Sequence, residues 1–335
     1  MMLICFGTRP EYIKIKPILE VFKGKIPHKI LFTGQHTDLL EHIKENVHRL
    51  YIKDGPNRLD SIVTSTLNNE DIFKNVTSVM VQGDTTSAFA LALAAFHRKI
   101  PVLHLEAGLR TYNLDHPYPE EFNRQVIGRI ATYNLCPTSK CMSNLEKEHT
   151  PGKRFIVGNT VLDNLVDLEP SFSNNVIITL HRRENHHWID EWFKEIDKLA
   201  EKHRDLNFIL PIHPNPAVLK HKHLLEHVKV IDPVPYDEFI KMLAGCKFAI
   251  TDSGGLQEEL SFFGKLCIVC RKKTERTEGV GTFAYLCMEP SNLEELFNRI
   301  NSNYNSVKDI PSPYGNGKSA EKILKLIKDG YVTGV

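Results

Sequence analysis

Acidic side chains in this chain stand just after apolar, strand-like runs or at what reads as a helix start. The run PVLHL (101–105) leads into HLEAGLRT, so Glu106 stands directly after it. The run SVMVQ (78–82) leads through Gly83 into Asp84, which precedes the apolar helical pattern of QGDTTSAFALALAAF. PYPEEFNR puts Glu120 and Glu121 at what reads as a helix start. Carboxylates gathered from neighbouring strand ends raise one another's pKa, which suits the removal and return of a proton. Each acid also has a plainer use. Asp84 would serve as a helix N-cap, and the others as solvated side chains.

A second set of residues suits an anion. GTRPEYIK (7–14) offers Gly7 for a tight turn, Thr8 as a cap, Pro10 in the first helical turn, and Arg9 and Lys14 beside a helix N-terminus. ITLHRREN (178–185) sets His181 after a strand and before two arginines, a natural place for phosphate or pyrophosphate. PIHPNP (211–216) holds His213 between prolines. In TDSGGLQEEL (251–260), Asp252 and Ser253 end a strand, and Gly254 and Gly255 permit close backbone approach. A helix with unpaired N–H groups follows, and Glu259 lies one turn in, within reach of ribose hydroxyls. RKKTERTEG (271–279) adds cations, or is simply an exposed charged loop. No G-x-G-x-x-G follows a strand, so a dinucleotide cofactor loses its main support.

The elements that must position these groups alternate. Eleven or so short apolar runs are separated by segments of helical period, such as 10–22, 85–96, 188–202, 236–244 and 292–300. That alternation predicts an α/β fold with two doubly wound parallel sheets rather than one. The seam is expected near 160–175, giving units 1–165 and 166–317, with a last helix over 318–335 crossing back to the first. Ligands of open α/β sheets bind at the carboxyl ends of the strands, so each motif is judged by whether it sits just after a strand.

Composition narrows the class. Of 335 residues, 41% are hydrophobic and 25% charged, as in ordinary globular proteins, and the formal net charge is +1. No general attraction to nucleic acid or an anionic membrane follows from such a charge. No apolar run approaches the roughly 20 residues of a membrane span, and the first residues read as a strand rather than a signal peptide, so a cytoplasmic protein is expected. Seven scattered cysteines read as buried thiols, not a disulfide framework, and no metal site is expected.

Taken together, GTRPEYIKIKP, QGDTTSAFALALAAF, HLEAGLRT, PYPEEFNR, HRREN, PIHPNP, TDSGGLQEE, TERTEG and PYGNGKSAEKIL resemble the non-hydrolysing UDP-N-acetylglucosamine 2-epimerases, in order and over nearly the whole chain. The resemblance implies two Rossmann-like domains in a glycosyltransferase-B arrangement with a central cleft, a UDP-sugar substrate, no cofactor and a homodimer. It implies inversion at C2 through loss and return of UDP, with a 2-acetamidoglucal intermediate. It makes Asp84, Glu106 and Glu120 the catalytic carboxylates and His181 an active-site histidine close to the diphosphate. It assigns Arg9, Ser253, Gly254, Gly255 and Glu259 to UDP, Lys14, Arg124, His213 and Arg276 to the cleft, and Phe239 to the neighbourhood of the nucleotide.

Two departures stand out. Gln35 and His36 are followed by Thr37-Asp38, where the bacterial enzymes usually read Gln-His-Arg in a region that helps bind a second, activating UDP-N-acetylglucosamine. Weak or absent substrate activation is therefore expected. Thr277 stands where the family has proline, which loosens the loop or points to a modified UDP-sugar such as a diacetamido uronic acid. A UDP-sugar glycosyltransferase, a hydrolysing epimerase and a non-catalytic UDP-sugar sensor are the rival readings. The presence of all three carboxylates weighs against the sensor.

Overall fold

The computed structural model describes residues 1–34, 47–53 and 55–335. Gln35 and His36 lie outside the described residues. The chain forms two compact α/β units. The first is Met1–Asn164 together with Gly315–Val335, and the second is Leu165–Tyr314.

The first unit is a seven-stranded parallel sheet. Its strands are β1 (Met2–Phe6), β2 (His28–Phe32), β3 (Val47–Arg49), β4 (Ser78–Gln82), β5 (Val102–Leu105), β6 (Tyr133–Cys136) and β7 (Lys153–Ile156), in the order β3-β2-β1-β4-β5-β6-β7. Its helices are α1 (Arg9–Phe22), α2 (Arg58–Leu67), α3 (Thr86–His97), α4 (Glu120–Ile130) and α5 (Ser139–Lys147). Side chains alternate across a strand, so β1 feeds two cores at once. Met2, Ile4 and Phe6 pack with Ile15, Ile18, Leu19 and Phe22 of α1. Leu3 and Cys5 face the other way, towards Ala88, Leu91, Ala92 and Ala95 of α3. A sheet covered on both faces needs continuous apolar runs such as MLICF, all five of whose residues are buried.

A further helix, Ser319–Lys328, belongs to this unit. Its apolar stripe of Ala320, Ile323 and Leu324 joins the α1 core. The Asp163 carboxylate accepts from the backbone N–H groups of Ser319 (3.0 Å) and Ala320 (2.7 Å), satisfying two unpaired donors of the helix start.

The second unit is a six-stranded parallel sheet of β8 (Asn175–Thr179), β9 (Asn207–Pro211), β10 (Lys229–Ile231), β11 (Phe248–Thr251), β12 (Cys267–Val269) and β13 (Ala284–Leu286), ordered β10-β9-β8-β11-β12-β13. Helices α6 (Ile189–Lys202), α7 (Pro216–Leu219), α8 (Tyr236–Gly245), α9 (Gly254–Phe262) and α10 (Leu293–Ser302) connect the strands. In α6, Ile189, Trp192, Phe193, Ile196 and Leu199 recur at helical spacing and meet Val176, Ile178 and Leu180 of the β8 segment.

Both sheets reverse their strand order once, at β1/β4 in the first unit and β8/β11 in the second. At such a switch point the flanking connections run to opposite faces and leave a gap at the strands' carboxyl ends.

Candidate functional site

In the first unit the switch point is lined by the turns after β1 and β4. Thr8 stands at the N-cap of α1, and Glu11 reaches back to accept from Gly7 N (2.9 Å) and Thr8 N (2.7 Å). Thr85 Oγ1 donates to the other Glu11 oxygen at 2.6 Å and accepts from Ala88 N at 3.1 Å, so Thr85 is the N-cap of α3. This corrects the capping alternative for Asp84: the cap is the next residue, and the Asp84 carboxylate turns to Arg124. Arg124 Nε lies 3.0 Å and Nη2 2.5 Å from Asp84 Oδ2. Burial pushes the Glu11 carboxyl above its usual range.

Glu106 is one residue beyond the paired end of β5, where Gln82 lies opposite Leu105. Its backbone is in the left-handed region, with φ of 61°. A non-glycine residue there costs roughly 1–3 kcal/mol and persists only where its surroundings fix it. Here the carboxylate is fixed on several sides. Lys14 Nζ donates to both oxygens at 2.7 Å, Gln82 Nε2 at 2.5 Å and Asn159 Nδ2 at 3.2 Å. Gln82 and Asn159 were not anticipated, although each stands at or just after a strand end and is legible by that rule.

Glu120 and Glu121 divide their roles. Glu120 opens α4 and is half-buried. Glu121 is fully buried and accepts from Thr111 N, Tyr112 N, Gln125 Nε2 and Arg124 Nη1 at 2.8–3.2 Å. It therefore holds the 111–112 loop and orients Arg124, and the expectation of a reactive pair narrows to Glu120. Arg110 makes a two-point contact with Glu148 (2.7 and 2.9 Å), also an internal one. Arg9, at the first position of α1, is exposed. His104 is buried, and its Nε2 donates to Gly83 O at 2.7 Å, fixing the turn that carries Asp84. Burial pulls its pKa down to about 4.

In the second unit, β8 and β11 end side by side, with Thr179 opposite Thr251. Asp252 Oδ2 accepts from His181 N (2.9 Å), Arg182 N (2.8 Å) and Asn185 Nδ2 (3.0 Å). The His181 ring stacks on that of His213, with centroids 5.2 Å apart and planes 11° apart. Burial lowers the pKa of both rings.

Ser253 occupies the N-cap position of α9 but makes no side-chain capping bond. Gly254 and Gly255 differ in their reasons. A Cβ at Gly254 would stand 2.6 Å from Glu275 Oε1 and 3.2 Å from Arg276 Nη1, so this glycine makes room for the protein's own side chains. A Cβ at Gly255 would meet nothing within 4 Å. Only the second therefore matches the expected open approach to the helix start. Arg276 contacts Glu258 (2.8 Å) and Glu275 (2.5 Å), and Arg271 links Glu275 (2.9 Å) to Glu184 (2.6 Å). Arg271 and Arg276 thus belong to a buried ion-pair chain, while Lys272 and Lys273 between them are exposed. Glu259 is buried and accepts from Tyr236 Oη at 2.8 Å, and Phe239 lies half-buried one turn on in α8.

Among the described residues, no group of three or more His, Cys, Asp or Glu could hold a metal ion, and no helix is long and apolar enough to cross a membrane. All seven cysteines are buried and unpaired.

Two doubly wound α/β units, each with polar side chains gathered at its switch point, define a Rossmann-like protein of two domains. The chain matches the UDP-N-acetylglucosamine 2-epimerase family over residues 22–328. It is 36% identical to the UDP-N-acetylglucosamine 2-epimerase of Neisseria meningitidis serogroup A, over 97% of this chain and 98% of that one. It is 34% identical to the Campylobacter jejuni protein of the same name, over 98% and 97%. Its fold is similar to the crystal structure of the N. meningitidis UDP-GlcNAc 2-epimerase bound to UDP-GlcNAc, with a TM-score of 0.88 and 33% identity over 98% of this chain and 100% of that one. The chain belongs to the UDP-N-acetylglucosamine 2-epimerase family.

Proposed function

We propose that this protein interconverts UDP-N-acetylglucosamine and UDP-N-acetylmannosamine without hydrolysing them. The observation that carries this reading, beside the end-to-end similarity, is the pairing of two of the three candidate carboxylates with a cation. Lys14 faces Glu106, and Arg124 faces Asp84. Each cation fixes its carboxylate in one orientation, as a group that must meet a single substrate atom requires.

In the proposed cycle a carboxylate removes the C2 proton and the C1–O bond to UDP breaks, its electron pair leaving with UDP. The 2-acetamidoglucal left behind takes a proton at C2 on its opposite face, and UDP adds back at C1. Atoms and electrons balance, and no redox cofactor enters. Asp84, Glu106 and Glu120 are the proposed proton carriers. Arg9, His181, Ser253 and the start of α9 stabilise the departing diphosphate, since fixed donors aimed at developing charge are the most effective catalytic device. Glu259 takes the ribose hydroxyls, with Lys14, Arg124, His213, Phe239 and Arg276 around the substrate. The homodimer implied by the family resemblance belongs to the same proposal.

The test is proton NMR of UDP-N-acetylglucosamine with the protein in D2O and no added cofactor. Gluco and manno UDP-sugars carrying deuterium at C2 support the reading. Free N-acetylmannosamine and UDP assign it to the hydrolysing branch, and an unchanged spectrum removes the unmodified sugar as substrate.

A further inference from the structure

The second unit holds a buried carboxylate oxygen that no hydrogen bond satisfies. Asp252 is fully buried, and its two oxygens are used unequally. Oδ2 accepts three N–H groups from the turn after β8. Among the described residues Oδ1 has no hydrogen-bond partner, and its near neighbour is His181 Nδ1 at 3.6 Å. That is an ion-pair distance, too long for a hydrogen bond. Such contacts in catalytic sites commonly tighten when substrate binds.

We propose that Asp252 is the positioning residue of His181, holding it as the Nδ1–H tautomer so that Nε2 is presented as the proton-accepting atom. A carboxylate only accepts, so the ring nitrogen facing Oδ1 is the one that carries hydrogen. The surrounding histidines are fixed in complementary ways. His213 Nδ1 accepts from Asn215 N at 3.2 Å, which leaves hydrogen on its Nε2. His186 Nε2 donates to His181 O at 3.1 Å, so it too carries hydrogen. Of the stacked pair, His181 offers an acceptor and His213 a donor. The groups acting on His181 are burial, which lowers its pKa, Asp252, which raises it, and Arg182, His213 and His186, which lower it.

The catalytic part of this inference rests on the epimerase reading, while the tautomer does not. Asp252→Asn separates the two jobs of the side chain. Its amide oxygen keeps the three N–H partners of Oδ2, while its amide nitrogen now faces Nδ1 and demands the opposite tautomer. In nitrogen-15-labelled full-length protein, with the His181 signals assigned by their loss in His181→Gln, the expected result is Nδ1–H in the native protein and Nε2–H in Asp252→Asn. Turnover should fall at least ~100-fold, with UDP affinity little changed and the acidic limb of the kcat profile moved to lower pH. An unchanged tautomer overturns the proposal, whatever the activity. So does a changed tautomer with native turnover. Native protein without turnover overturns the epimerase reading and leaves the tautomer assignment intact.

Discussion

The Lys14 ammonium lies 2.7 Å from both carboxylate oxygens of Glu106. The lysine is on the first helix and the carboxylate at the end of β5, so two elements far apart in sequence meet in one ion pair. Lys14→Met should leave the fold intact and cut kcat by about 100-fold or more, the scale for losing a fixed charged partner at a reacting group. UDP affinity should fall far less. Native turnover in this variant would detach Lys14 from Glu106's chemistry.

Neighbouring Glu120 and Glu121 should respond in opposite ways. Glu120→Gln is expected to lower kcat at least ~100-fold while melting like the native protein, and Asp84→Asn should match it in rate. Glu121→Ala removes a buried acceptor and an Arg124 partner, which should cost about 3–5 kcal/mol of stability. Paired thermal melts and rate assays would reverse the assignment if Glu120→Gln melted early and Glu121→Ala did not.

At the α9 start the two glycines give a matched pair of variants. Gly255→Ala points its methyl into open space and should fold normally, yet weaken UDP binding if the diphosphate approaches there. Gly254→Ala forces Glu275 and Arg276 to shift and should lower the melting temperature. Calorimetric titration with UDP, alongside thermal melts, distinguishes them. Undiminished UDP affinity in Gly255→Ala would move the diphosphate away from this helix.

His104 predicts an acid-sensitive fold. Its folded pKa, about 4, lies below the ordinary 6.5, so the unfolded chain binds the extra proton first. The stabilisation is complete above about pH 6.5 and fades as pH falls towards 4, a loss of about 3 kcal/mol. Urea unfolding from pH 7 to 4 should show this slope, and His104→Gln should flatten it. Parallel slopes in the two proteins would place the sensitivity elsewhere.

The Thr37-Asp38 departure after Gln35-His36 predicts hyperbolic kinetics in UDP-N-acetylglucosamine. Sigmoidal rates abolished by changing Gln35 or His36 would contradict it.

The sequence was most legible where one strand's end carried one chemical group. Alternating apolar runs announced two parallel sheets, because strands covered on both faces must be apolar throughout. The short edge strand β3, Val-His-Arg, has two exposed polar residues and announces nothing. Edge strand β13, Ala-Tyr-Leu, is only three residues long. Asp84, Glu106 and His181 were singled out because each follows a strand. What could not be seen was which partner each would find. Asp84 turning to Arg124 and Gly254 yielding to Glu275 and Arg276 depend on contacts between segments remote in sequence, and Glu121 turning inward depends on the path of the 111–112 loop before it. Local pattern carries no record of those.

The helix Ser319–Lys328 has a consequence for synthesis on the ribosome. The first unit is interrupted in sequence, and its α1-side core gains Ala320, Ile323 and Leu324 only when this helix arrives. At ordinary elongation rates the intervening unit takes on the order of ten to thirty seconds to emerge. During that interval Ile15, Ile18 and Phe22 lack their final cover, while the second unit, continuous in sequence, can fold as it appears. The nascent chain therefore completes its middle before its beginning.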